Sequence, residues 1–113
     1  MLYRNYGKNN QKLSVIGLGG ISVKGLGEKK ATEIINYAID KGVNYFDVAP
    51  TYGDAQELFG SGLRGHRNKI FLACKTKFRS SKESIHDLEN SLRILKTDYF
   101  DLYQLHGMKS KND

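Results

Sequence analysis

A chain of 113 residues with 39% hydrophobic and 11% aromatic content is one domain at most, and this composition excludes a disordered or low-complexity protein. A single Cys excludes a disulfide framework and a Cys-rich zinc site, and the three His have no metal-ligand spacing to a carboxylate or thiol, so no metal is expected. The net charge of +6 is scattered, and its densest stretch, Arg64 to Lys82, has poor aromatic interleaving, so it reads as solvated surface in preference to a nucleic-acid patch.

In chain order, the opening Met-Leu-Tyr-Arg-Asn-Tyr-Gly-Lys has no apolar segment of the signal-peptide kind. Leu2–Tyr6 and Lys12–Ser14 flank a Gly-Lys-Asn-Asn-Gln turn and predict a hairpin. Val15–Gly20 predicts a small apolar strand running into glycines. From Glu28 the period changes: Ala31, Ile34, Ile35, Ala38 and Ile39 form one apolar helical stripe, and Gly42 stops the helix. Val43–Val48 predicts a strand. Asp54 and Glu57 have capping-box spacing before a helix whose inner face is Ala55, Leu58, Phe59 and Leu63, ended by Gly65. Ile70–Cys74 predicts a buried strand. Ser80 and Glu83 predict a second capping box, before a stripe of Ile85, Leu88, Leu92 and Leu95, and Tyr99–His106 predicts the last strand. No stretch approaches the roughly 18 apolar residues of a membrane helix, so the expectation is a cytoplasmic protein with no membrane partner.

Strands alternating with helices predict an α/β fold with a parallel sheet and crossover helices. A closed (β/α)8 barrel takes roughly 250 residues. The expected fold class is therefore a partial (β/α)8 barrel: a hairpin, then four strands separated by three helices.

In such sheets, sites form at the carboxyl ends of the strands. Asp47 falls at the end of the strand after the first helix, and Tyr52 lies five residues on, in the loop. Lys75 falls at the end of the next strand and His106 at the end of the last. Parity puts Asp47 on the face of Tyr45 and Val43, Lys75 on that of Ala73 and Phe71, and His106 on that of Gln104 and Leu102. A phenol with a free pKa of about 10 is a poor proton donor at neutral pH, and an ammonium beside it eases proton release. A carboxylate would hold that ammonium charged, and an imidazole could orient a carbonyl oxygen. The set suits protonation of a carbonyl as hydride arrives from a reduced nicotinamide. Each residue also has a plain reading: Asp47 as a loop cap, Tyr52 as a ring packed over the barrel mouth, Lys75 as surface charge with Lys77 as its competitor, His106 as a histidine satisfied by backbone. Cys74, beside Lys75, points by parity toward the helices and reads as packing. His66 and His86 read as surface residues.

The sequence resembles the aldo/keto reductase family. The resemblance is carried by Tyr-Arg-Asn-Tyr-Gly-Lys near the start, Leu-Ser-Val-Ile-Gly-Leu-Gly-Gly (13–20), and Ala-Ile-Asp-Lys-Gly-Val-Asn-Tyr-Phe-Asp-Val-Ala-Pro-Thr-Tyr-Gly (38–53). It continues through Phe-Leu-Ala-Cys-Lys-Thr (71–76) and Leu-Glu-Asn-Ser-Leu-Arg-Ile-Leu-Lys-Thr-Asp-Tyr-Phe-Asp-Leu-Tyr-Gln-Leu-His-Gly (88–107). The resemblance implies a catalytic tetrad of Asp47, Tyr52, Lys75 and His106, with Tyr52 as general acid, Lys75 and Asp47 tuning it, and His106 orienting the carbonyl. It implies a (β/α)8 barrel closed at the bottom by the hairpin, NADPH or NADH at the top, and a small-molecule carbonyl substrate. Gly20 and Ile21, with Asp47, match positions near the nicotinamide end. Residues 1–113 would then be the N-terminal half of such a barrel, ending after its fourth strand, while the family's main phosphate and adenosine contacts come from later strands.

Two other readings stand beside this one. Gly17-Leu-Gly19-Gly20-Ile-Ser22 begins like a dinucleotide-binding glycine motif, but Ser22 replaces the third Gly and the helix starts only near Glu28. A half barrel also leaves open sheet edges, which invite self-association of a catalytically inactive fragment.

Overall fold

A computed structural model describes all of residues 1–113. The chain opens with an antiparallel hairpin, β1 (Tyr3–Tyr6) and β2 (Gln11–Ser14), in which Tyr3 faces Ser14 and Tyr6 faces Gln11. There follow β3 (Leu18–Gly19), α1 (Glu28–Asp40), β4 (Tyr45–Asp47), α2 (Ala55–Gly62), β5 (Phe71–Thr76), α3 (Ser81–Leu95) and β6 (Leu102–Leu105). The last four strands form one parallel sheet in sequence order, with Leu18 opposite Phe46, Phe46 opposite Leu72, and Cys74 opposite Tyr103. Each parallel step needs a crossover, and one helix supplies each. The sheet is open, with β3 and β6 as its edges. No helix is long and apolar enough to cross a membrane.

Alternation along the strands separates two faces. Phe46, Val48, Leu72 and Cys74 join Ala31, Ile35, Leu58, Phe59 and Leu95 in a core between sheet and helices. Phe46 meets Phe59 edge to face at 5.8 Å. The other face carries Tyr45, Asp47, Phe71 and Lys75. Tyr6 of the hairpin stands edge-on to Phe71 at 5.1 Å, and Tyr45 does so at 5.6 Å, so the hairpin closes the amino end of this face. Gly42, at φ +95°, ends α1 and lets the hairpin close in: the Tyr3 hydroxyl donates to its carbonyl at 2.8 Å. On α2, a Cβ at Gly60 would lie 2.7 Å from the Ile94 carbonyl, and one at Gly62 would run into Ile35, so glycine there sets how closely α2 approaches its two neighbours.

Cys74 is fully buried, and burial pushes its thiol up to about 11. A neutral, inaccessible thiol is a poor nucleophile. The native protein is expected to resist a disulfide reagent, with one thiol titrating only after addition of denaturant. Rapid labelling of the folded protein would contradict its place in the core.

Several local expectations change. The strand predicted at Val15–Gly20 shrinks to Leu18–Gly19, leaving Val15 and Ile16 49% and 61% exposed. Asn44 is the reason. Its Oδ1 accepts the Ser14 N–H at 2.8 Å, its Nδ2 donates to the Lys12 carbonyl at 2.9 Å, and its own N–H donates to Ser14 Oγ at 3.1 Å. These bonds tie the hairpin to the start of β4 and bend the chain ahead of β3. The capping box at Asp54 and Glu57 does not form. Asp54 has ψ 15°, not the extended value that aims a cap at the first turn, and its Oδ1 accepts the Gly25 N–H at 2.9 Å instead. Ser80, extended at ψ 150°, does cap: its Oγ accepts the Glu83 N–H at 3.2 Å and its hydroxyl donates to Glu83 Oε1 at 2.9 Å.

The stripe on α3 is only partly covered. Leu95 and Ser91 are buried against the neighbouring elements, whereas Ile85 is 55% exposed. The basic stretch is not uniformly solvated either. Arg67 ion-pairs with Asp101 at 3.0 Å and stacks on the Tyr99 ring at 3.8 Å, while Lys75 and Arg79 are engaged at the carboxyl end of the sheet.

Candidate active site

Asp47 ends β4, and Lys75 is the penultimate residue of β5. The register sets Asp47 opposite Ala73, so Lys75 starts two residues nearer the carboxyl rim and its amine leans back to the carboxylate. Lys75 Nζ donates to Asp47 Oδ2 at 2.6 Å. It also donates to the Tyr52 hydroxyl at 3.4 Å. Tyr52 reaches this point through a tight turn after β4, in which its N–H donates to the Ala49 carbonyl at 3.1 Å and its carbonyl accepts the Ala55 N–H at 3.0 Å. The His106 ring, one residue past β6, stands edge-on to the Tyr52 ring with centroids 5.8 Å apart. The four side chains singled out from sequence thus share one rim. Lys77 does not compete: its ammonium lies over the Phe78 ring at 5.6 Å.

The pair is half-withdrawn from water, with side-chain exposures of 11% for Lys75 and 31% for Asp47. Burial pulls the Lys75 amine down, but the hydrogen bond and charge of Asp47, joined by Tyr52, outweigh it and hold the amine above its ordinary value. Lys75 therefore stays protonated through the neutral range. Its ion pair stabilises the fold fully below the ordinary lysine pKa, and that contribution is lost as pH rises through the raised one. Tyr45, the other phenol on this face, is pushed upward by burial and then by Asp47, which makes it a worse donor. Tyr52 is the phenol in hydrogen-bond reach of the Lys75 ammonium, at 3.4 Å.

Asp47 Oδ1 is buried without a hydrogen-bond partner. An orphaned carboxylate oxygen is costly, and a donor group on a bound molecule would satisfy it. Gly19 pairs with Asp47 across β3 and β4, and a Cβ at Gly19 would meet nothing within 4 Å, so there is open space beside the carboxylate. Gly20 is turned to the core, where a Cβ would lie 2.8 Å from Val48 Cγ2, and Ile21 is 62% exposed at the rim. Gly19, one residue before the Gly20 singled out from sequence, is the glycine whose Cβ direction opens beside Asp47. The glycine-motif alternative fails on geometry, since Gly20–Ser22 is a short 3-10 turn and the helix starts at Glu28.

The same arrangement of strands and helices has many counterparts among known structures. Residues 15–113 match the model of the aldo/keto reductase family. The chain is 38% identical over 121 residues to the uncharacterized oxidoreductase YqkF of Bacillus subtilis, covering 95% of this chain and 39% of that protein. It is 36% identical over 108 residues to the aldo-keto reductase YhdN of Bacillus subtilis, covering 83% of this chain and 33% of that protein. The holo structure of aldo-keto reductase AKR11C1 from Bacillus halodurans superposes with a TM-score of 0.78 at 36% identity, over 96% of this chain and 39% of that one. The chain spans well under half the length of these relatives, and its open four-stranded sheet corresponds to part of their barrel. With sequence, fold and strand order agreeing over nearly all of its length, this chain belongs to the aldo/keto reductase family.

Proposed function

We propose that the chain carries the proton-transfer site of an NAD(P)H-dependent oxidoreductase that reduces an aldehyde or ketone to an alcohol, with Tyr52 as proton donor. The observation that carries this reading is the placement of Lys75 Nζ, 2.6 Å from Asp47 and 3.4 Å from the Tyr52 hydroxyl, with His106 against the Tyr52 ring. NADPH or NADH, when bound, supplies a hydride to the carbonyl carbon. Tyr52 gives its hydroxyl proton to the carbonyl oxygen. The resulting phenolate sits beside the Lys75 ammonium, which Asp47 keeps in place and charged. His106 faces the same space and orients the carbonyl oxygen toward Tyr52. The open volume at Gly19 and the unpartnered Asp47 Oδ1 fit the nicotinamide end of such a cofactor, with Ile21 at the rim. The substrate class is a small carbonyl compound, and the setting is cytoplasmic.

A second reading has its own observation. Within these 113 residues β3 and β6 are open edges, and Ile16 and Leu105 beside them are 61% and 51% exposed. Open edges pair with other chains, which supports an inactive or self-associating half barrel. Size-exclusion chromatography combined with NADPH fluorescence separates the two. The reductase reading expects a saturable fluorescence change and oxidation of NADPH on adding 4-nitrobenzaldehyde. A stable oligomer with no affinity for NADPH would favour the inactive half barrel.

A further inference from the structure

We propose that Arg79 is a positioning residue for His106: its guanidinium fastens the His106 backbone to the loop after β5 and so fixes where the imidazole stands against Tyr52. The consequence for turnover rests on the reductase reading above; the structural content does not.

His106 lies just beyond the last residue of β6, and Gly107 turns the chain immediately after it at φ +70°. Its side chain makes no hydrogen bond, so the ring goes where the backbone puts it. That backbone is held at two points. The His106 N–H donates to the Thr76 carbonyl at 2.8 Å, and the His106 carbonyl accepts from Arg79 Nη2 at 2.6 Å. The other end of the guanidinium is anchored as well: Arg79 Nη1 donates to the carbonyls of Lys77 at 3.0 Å and Phe78 at 3.2 Å. Those carbonyls belong to a restrained loop, since Thr76 Oγ1 accepts the Phe78 N–H at 3.2 Å while donating to Asp87 Oδ2 at 2.6 Å. A continuous set of contacts therefore runs from α3 through the loop and Arg79 to His106. A planar fork with several donors can hold three carbonyls at once, which a lysine ammonium on a flexible stem does less well.

The test compares Arg79→Ala, Arg79→Lys, His106→Ala and the Arg79→Ala/His106→Ala double variant in the active form of the protein, with 4-nitrobenzaldehyde and NADPH. Arg79→Ala should lower kcat/KM about ten- to a hundredfold through misplacement of the imidazole, with NADPH affinity unchanged, and Arg79→Lys should recover part of the loss. The double variant should be no slower than His106→Ala, because Arg79 acts through that residue. Independently of turnover, deuterium exchange at the His106 amide should rise about tenfold in Arg79→Ala while the Leu72 amide, at the far end of β5, keeps its rate. Losses that multiply in the double variant, or an unchanged His106 exchange rate, would overturn the proposal. Should the unmodified protein reduce no carbonyl, the reductase reading fails, and the exchange rate alone decides whether Arg79 holds His106.

Discussion

Replacing Tyr52 with Phe should lower kcat by about 10²- to 10⁴-fold, the range expected when a positioned general acid is removed. NADPH affinity should stay within about twofold, because the lost hydroxyl serves the reacting oxygen and not the cofactor. The reason lies in what the variant keeps. The Lys75–Asp47 pair at 2.6 Å does not depend on Tyr52, and the Phe ring can still meet His106 edge-on. The fold and the open space at Gly19 survive, while the proton source 3.4 Å from the ammonium is gone. Tyr45→Phe supplies the contrast. Tyr45 lies on the same face, and burial and then Asp47 push its phenol upward, the direction that weakens it as an acid. Its variant should turn over at close to the original rate. Steady-state kinetics and cofactor titration on both variants check the assignment; equal losses from the two would mean that the cation beside Tyr52 is not what selects the donor.

That Asp47, Tyr52, Lys75 and His106 share one rim was readable from sequence because their placement depends on strand order and parity, which hydrophobic patterning reports directly. Asp47, Lys75 and His106 sit at successive strand ends, and a parallel sheet must bring successive strand ends together. Tyr52 depends only on the length of one short turn. What patterning could not report were contacts made by polar side chains across the chain. Asn44 reads as one residue of a strand, yet its three hydrogen bonds to Ser14 and Lys12 decide where β3 begins. Asp54 has the spacing of a helix cap, yet its carboxylate is taken by Gly25, 29 residues away. Ile85 continues the helical period of Leu88, Leu92 and Leu95, but a stripe is buried only where a partner lies against it. Arg79 reads as one more cation in a basic stretch, and only the geometry ties it to the His106 carbonyl.

Arg67 is the sharpest case of a residue misread as solvated charge, and its removal should be the most destabilising single change in the basic stretch. Its fork is used on every side. Nε donates to Thr97 Oγ1 at 2.9 Å, Nη1 to the Ile70 carbonyl at 3.2 Å, and Nη2 to the Tyr99 carbonyl at 2.8 Å. Nη2 also lies 3.0 Å from Asp101 Oδ2, and the same carboxylate oxygen accepts the Leu72 N–H at 2.8 Å. Arg67 therefore fixes the turn before β5 to the approach to β6, and Asp101 extends that fastening into β5 itself. Both partners are mostly buried, with side-chain exposures of 18% and 17%, so the pair is not a screened surface contact. Losing one partner of a fully buried pair costs about 3–5 kcal/mol, and the residual exposure here reduces that to about 2–4 kcal/mol for Arg67→Ala. With a urea m-value of about 2 kcal/mol/M for a protein of this size, the unfolding midpoint should fall by about 1–2 M at unchanged m. Arg67→Lys keeps the charge but cannot reach four acceptors from one ammonium, so it should recover less than half of the loss. Arg64→Ala, three residues away and exposed, should shift stability by less than about 0.5 kcal/mol. Similar midpoints for Arg64→Ala and Arg67→Ala would mean that the hydrogen bonds around Arg67 add nothing beyond what water supplies, and that the amino ends of β5 and β6 are held by apolar packing alone.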